Sequence, residues 1–318
     1  MANKIDAFIE AHGMLLLDGG LATELEARGI SLDTHLWSAQ LLLENPGAIR
    51  DVHLSYLEAG ADCIITASYQ ASIPGFVSYG LSEQEARALL RKSITLADEA
   101  RDRYLERSNG GDSERARPLV AASIGPYGAY LADGGEYRGN YGISNHELRA
   151  FHEPRWEILA ASSADILACE TIPGFQEAEV LLELLRQTPG VYAWVSFSCR
   201  DGEHISDGTP ITECAALLKD CEQVAAVGVN CTPPKYISSL IEKIRIAAPG
   251  KPIAVYPNSG ELYDVETRSW IGTSNPLNSG TAAVEWFRNG ARLIGGCCRM
   301  GPNHIKAMRE ALSKSSVL

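Results

Sequence analysis

Met14-Leu15-Leu16-Leu17-Asp18-Gly19-Gly20-Leu21-Ala22-Thr23 is the stretch that separates the two architectures open to this chain. An apolar run ends on an acid, passes through two glycines and enters a helix-forming segment. That is a strand feeding a helix. A doubly wound open sheet would carry a G-x-G-x-x-G fingerprint at its first such turn. The run Asp18-Gly19-Gly20-Leu21-Ala22-Thr23 lacks it, and the chain contains no P-loop.

Working outward, apolar runs of the same kind recur at Asp62–Thr66, Leu119–Ser123, Asp165–Cys169, Tyr192–Phe197, Val224–Val229, Ile253–Tyr256 and Arg292–Ile294. Amphipathic stretches separate them. In Glu83–Leu105, for example, Ala86, Leu89, Leu90, Ile94 and Ala97 form one stripe with charges opposite. With the first run these make eight strands alternating with helices, which implies a parallel sheet closed as a (β/α)8 TIM barrel, an α/β fold. No Pro-, Gly- or Ser-rich linker divides the chain, so residues 1–318 are expected to form a single domain, with the polar Ser108–Arg117 a surface loop and the last few residues a disordered tail.

Composition narrows the partners. The net charge of −12, from 28 basic against 40 acidic residues, disfavours nucleic acid and anionic membranes, and leaves a small molecule as the expected partner. The N-terminus has no signal-peptide pattern and no apolar run is long enough for a bilayer, so a cytoplasmic protein is expected. Its 8 cysteines should then be reduced, and grouped cysteines suggest metal or catalytic chemistry.

Three of them fall at expected strand ends. Cys231 closes Val227-Gly228-Val229-Asn230-Cys231, and Cys297-Cys298 follow Leu293-Ile294-Gly295-Gly296. Three thiols at such ends can hold a zinc ion with its fourth position open. Adjacent strand residues point to opposite faces, so both Cys297 and Cys298 reach one metal only if the backbone leaves strand geometry, which Gly295-Gly296 would permit through glycine's wide φ range. Buried structural thiols are the alternative; a vicinal disulfide would need a strained ring and an oxidising setting. Cys63, Cys169, Cys199, Cys214 and Cys221 have no metal-like spacing and are expected to be structural.

Asp18-Gly19-Gly20, Ala168-Cys169-Glu170, Gly228-Val229-Asn230-Cys231 and Gly295-Gly296-Cys297-Cys298-Arg299 together resemble the signature of the homocysteine S-methyltransferase family, in the family's order and over essentially the whole chain. The segments Thr66–Ala71, Gly125–Gly134 and Val255–Glu261 are most similar to the stand-alone members that use S-methylmethionine. The resemblance implies Zn2+ held by Cys231, Cys297 and Cys298, homocysteine and a sulfonium methyl donor as partners, and methionine as product. It implies that Asp18 and Glu170 bind the substrate ammonium. Betaine and cobalamin are disfavoured, because no long C-terminal extension or carrier domain follows Leu312. S-adenosylmethionine as donor and selenohomocysteine as acceptor stay open. So does a non-catalytic zinc-binding or redox-sensing barrel.

Among the remaining loop residues, Trp37, Tyr69, Tyr127 and Tyr130 could face a sulfonium through cation–π attraction, or simply pack. Asn230 and Asn258 could bind a carboxylate or a backbone group, although Asn258 after Pro257 also suits a turn. Asp18 could instead cap the helix from Leu21, Glu170 could pair with a loop cation, and Arg299 could steady the thiolates or cap the last helix. The loop Tyr127–Arg138 is a possible lid, and the protein is expected to be a monomer or weak homo-oligomer.

Overall fold

The computed structural model describes residues 3–32, 37–108, 115–264, 269–271 and 276–315. Eight parallel strands run β1 (Leu15–Leu16), β2 (Cys63–Ile65), β3 (Leu119–Ile124), β4 (Ile166–Ile172), β5 (Ala193–Phe197), β6 (Val224–Asn230), β7 (Ile253–Tyr256) and β8 (Ala291–Ile294). Their order around the sheet is β1-β8-β7-β6-β5-β4-β3-β2. A parallel bridge from Leu17 to Cys63 brings β1 back to β2 and closes the ring. This is the expected (β/α)8 barrel, with all eight strands within a few residues of their sequence positions. A short antiparallel hairpin, Leu262–Asp264 with Ser269–Ile271, follows β7. The expected Ser108–Arg117 loop and terminal tail fall mostly or wholly outside the described residues.

Two apolar layers hold the ring. Inside it lie Leu15, Leu17, Leu119, Ala121, Ile166, Ala168, Trp194, Ala254 and Leu293, and the N-terminal helix Lys4–His12 adds Ile5 and Phe8 to the same cluster. Outside it, helices lay their apolar stripes on the strands, as with Leu181, Leu182, Leu184 and Leu185 of Phe175–Arg186. Small residues let neighbouring strands approach. At Gly228 an added Cβ would fall well inside contact of the Ala254 carbonyl on β7.

The ends of the ring differ chemically. At the strand starts, Asp62 accepts from the Leu16 N–H at 2.9 Å and pairs with Arg115 and Arg309, while Asp165 accepts from the Val120 N–H at 2.7 Å and pairs with Arg101 and Lys4. Charges compensated in this way belong to stability. The uncompensated groups gather at the strand ends. Among the described residues, no helix is long and apolar enough to cross a membrane.

One outer-layer residue has a consequence for pH. His53, in helix Pro46–Ala59, is fully buried, and neither ring nitrogen has a hydrogen-bond partner among the described residues. Burial lowers its pKa from 6.5 to about 4. The unfolded chain therefore takes up a proton below about pH 6.5 that the fold refuses until near pH 4, so stability is intact above that window and falls within it. His53→Leu is expected to flatten the loss of Tm between pH 6.5 and 4.5 measured by calorimetry. Parallel losses in the two proteins would refute this assignment.

Candidate active site

The three cysteines do converge. The Sγ atoms of Cys231, Cys297 and Cys298 lie within 4.8 Å of one another, with Cys231 and Cys298 at 3.4 Å. Cys231 leaves β6 with φ of 49°, a left-handed turn that costs a non-glycine residue energy and aims its thiol across at β8. Cys297 and Cys298 lie beyond the end of β8, so strand alternation no longer separates them.

The part of Gly295-Gly296 differs from expectation. Neither glycine has a positive φ; both are needed for close approach. A Cβ on Gly295 would come to 2.6 Å from Leu17 Cβ and one on Gly296 to 2.7 Å from Met300 Cβ. Gly19 and Gly20 are similarly packed under Met300 and Cys297. The left-handed residue is Arg299, at φ 65°. Among the described residues its guanidinium pairs with Glu261 at 3.0 Å rather than with the thiols or the last helix.

Within this cluster Cys231 is the acidic member. Hydrogen bonds from Cys297 and Cys298 hold its thiol well below the ordinary range, and the same sharing pushes the other two up. By themselves the thiols share protons, and Cys231 is the first of them to ionise. A soft divalent cation could stabilise all three as thiolates. The donor set fits such an ion, since the cysteines lie together and no Lys or Arg is paired with them among the described residues.

Asp18 and Glu170 lie on the same rim. Asp18 is buried; its Oδ2 accepts from the Ile65 N–H at 2.9 Å, whereas Oδ1 has no hydrogen-bond partner among the described residues. The cap of helix Leu21–Ala27 is Gly20, so Asp18 is not spent on capping. Burial, reinforced by the charge of Glu170, raises the Asp18 carboxyl well above its usual range. Glu170 accepts from Ser123 Oγ, and burial pushes it to about 7. It has no loop cation as partner among the described residues. Two buried acids lacking a cation can receive an ammonium.

Asn230 takes the second of its expected parts, binding a backbone group. It is fully buried, its Oδ1 accepts from the Thr171 N–H at 2.7 Å and Ser196 Oγ at 2.8 Å, and its Nδ2 donates to Thr171 Oγ1 at 2.7 Å and reaches Cys297 Sγ at 4.0 Å. It fixes Thr171, which is held at φ 59°, and steadies Cys297. Asn258 turns the chain after β7, its Oδ1 accepting from the Gly260 N–H at 3.0 Å. Tyr69 stands within electrostatic reach of Cys231 and Glu170. Tyr127 is engaged in packing with Tyr130, Tyr141 and Phe151, edge-on to Phe151 at 5.0 Å. Trp37 begins the short helix Trp37–Gln40, and its side chain lies outside the described residues.

Two residues escaped the sequence reading. Glu136 and Tyr137 form a single turn, Gly135–Tyr137, in the loop after β3. The Tyr137 hydroxyl is 3.2 Å from Cys231 Sγ, and Glu136 lies within electrostatic reach of Cys231 and Cys298, its carboxyl raised by burial to about 7. The signal available was position: Glu136 follows directly on the glycine-rich run that marks a loop on the active face. The five other cysteines are buried, as expected; burial pushes Cys169 up to about 12.

The chain is similar to known proteins over nearly its whole length. Residues 15–312 match the family described as homocysteine S-methyltransferase. Homocysteine S-methyltransferase YbgG of Bacillus subtilis is 52% identical over 306 residues, 96% of each chain. The selenocysteine Se-methyltransferase of Brassica oleracea var. italica is 46% identical over 312 residues, 95% of this chain and 90% of that one. The homocysteine methyltransferase MmuM from Escherichia coli superimposes at 46% identity, covering 97% of this chain and 99% of that one, with TM-scores of 0.88 to its oxidized form and 0.86 to its metallated form.

Proposed function

As the chain belongs to the homocysteine S-methyltransferase family and is an enzyme of that activity, we propose that its donor is the sulfonium S-methylmethionine and that its metal is zinc, held by Cys231, Cys297 and Cys298. The observation that carries this is the convergence of three thiols beside buried acids that have no cation of their own. Bound there, zinc would supply an acidic fourth position at which a substrate sulfur stays deprotonated at neutral pH.

The chain's own residues do the rest. Asp18 and Glu170 receive the homocysteine ammonium and fix the amino acid at the β1 and β4 ends. Asn230 keeps Thr171 and Cys297 in place, and the Tyr137 hydroxyl can donate to the Cys231 thiolate. The Gly135–Tyr137 turn sets that hydroxyl 3.2 Å from Cys231 Sγ, beside the thiols. Transfer then needs alignment: the homocysteine thiolate bonds to the methyl carbon, and the old C–S pair returns to the donor sulfur. Opposite charges cancel, no general base is required, and donor and acceptor both end as methionine.

A selenol acceptor is the second reading, supported by the relative named for selenocysteine. A donor panel against homocysteine tests the proposal: S-methylmethionine should turn over faster than S-adenosylmethionine and betaine, forming two methionines per event. No turnover with any sulfonium would end it. Asp18→Asn keeps the shape and removes the charge facing the ammonium, worth about 1.5 to 3 kcal/mol. The expected result is a homocysteine KM raised roughly tenfold to a hundredfold, with donor KM little changed; steady-state kinetics read both, and an unchanged homocysteine KM would remove Asp18 from the site.

A further inference from the structure

We propose that Glu136 is the carboxylate that faces the cationic sulfur of the methyl donor and sets the enzyme's affinity for it. This rests on the sulfonium reading above. One oxygen of Glu136, Oε2, is sealed from solvent and has no hydrogen-bond partner among the described residues. An orphaned carboxylate oxygen is costly, and a bound cation would offset the cost. A sulfonium carries positive charge but no N–H or O–H, so a bare oxygen suits it where a hydrogen-bonding site would not.

The turn that carries Glu136 is fixed in place. Its carbonyl accepts from Ser198 Oγ at 2.8 Å, and the hydroxyl of the next residue, Tyr137, is 3.2 Å from Cys231 Sγ. Gly135 packs on Gly128 so closely that an added Cβ would lie 2.9 Å from Gly128 Cα. Glu136 is thereby held within electrostatic reach of Tyr69, Cys231 and Cys298, where a methyl group would be handed to a sulfur bound at the thiol cluster. The nearby Arg138 is engaged by Asp133 at 2.8 Å and leaves this carboxylate to a ligand. Asp18 and Glu170 lie at the β1 and β4 ends, where they serve the acceptor.

The donor's charge fades as its methyl leaves, so a facing carboxylate binds the ground state more tightly than the transition state. Its removal weakens donor binding without slowing the chemical step. The test uses zinc-loaded full-length protein, wild type, Glu136→Gln and Glu136→Asp, with S-methylmethionine and homocysteine varied in turn. For Glu136→Gln the expected result is a donor KM raised roughly tenfold or more, kcat equal to or above wild type, and homocysteine KM and metal content unchanged. Glu136→Asp should recover part of the donor affinity. A donor KM raised less than tenfold, a rise in homocysteine KM instead, a fall in kcat matching the loss of kcat/KM, or lost metal would each overturn the assignment. If wild type itself turned over no sulfonium, the proposed donor class would fail; wild-type turnover with an unaffected variant would refute Glu136 alone.

Discussion

Cys298→Ala is expected to lower kcat/KM with homocysteine by on the order of a thousandfold or more, while leaving the barrel folded. The magnitude follows from what the thiol does. With Cys231 and Cys297 alone, the cluster loses one of the three sulfurs that lie within 4.8 Å. A cation held by two thiolates binds far less tightly, and without it the homocysteine thiol, with a pKa near that of free cysteine at about 8.5, is mostly protonated at pH 7. Cys298 is half-exposed beyond the end of β8, so its truncation leaves no large cavity. Metal content by emission spectroscopy should fall with activity, and circular dichroism should not change. A variant that kept its activity within tenfold would show that the third sulfur is dispensable.

Gly228→Ala is the second large effect, this time on stability. The new methyl would press into the Ala254 carbonyl of β7, which is backbone and cannot swing aside. Forcing β6 and β7 apart strains packed strands on both sides, at a cost on the order of 3 kcal/mol or more. At about 2 °C per kcal/mol for a chain of this size, Tm should fall by roughly 6 °C or more. The displacement also reaches Cys231, three residues on, so activity should fall further than stability alone explains. Gly47→Ala is the control: in helix Pro46–Ala59 an added Cβ there meets nothing nearer than Arg50 Nη2 at 3.6 Å, and alanine is the better helix former. Differential scanning calorimetry separates the two; equal Tm values would refute the close-packing argument.

These contrasts also mark what the sequence could reveal. Strand periodicity located all eight barrel strands, because each apolar run is buried on both faces and flanked by turn residues. The thiol site was legible for the same reason: residues at strand ends share a rim whatever their distance along the chain. Close approach was not legible. Gly295 and Gly296 suggested an unusual φ, whereas their reason lies in Leu17 and Met300, which sequence cannot place beside them. Glu136 and Tyr137 were missed because a loop path is set by contacts such as Ser198 Oγ to the Glu136 carbonyl, made between residues far apart in sequence. For Asn230 the sequence left carboxylate and backbone binding open, and only the fold shows that its amide is consumed by Thr171 and Ser196.

The central claim is that a metal at Cys231, Cys297 and Cys298 makes the substrate sulfur the nucleophile. Methionine formation from S-methylmethionine and homocysteine should be measured on protein dialysed against a strong chelator and then titrated with zinc. The account expects activity to vanish on dialysis and to return in proportion to zinc, levelling at one equivalent per chain. Full activity in the metal-free protein would contradict it.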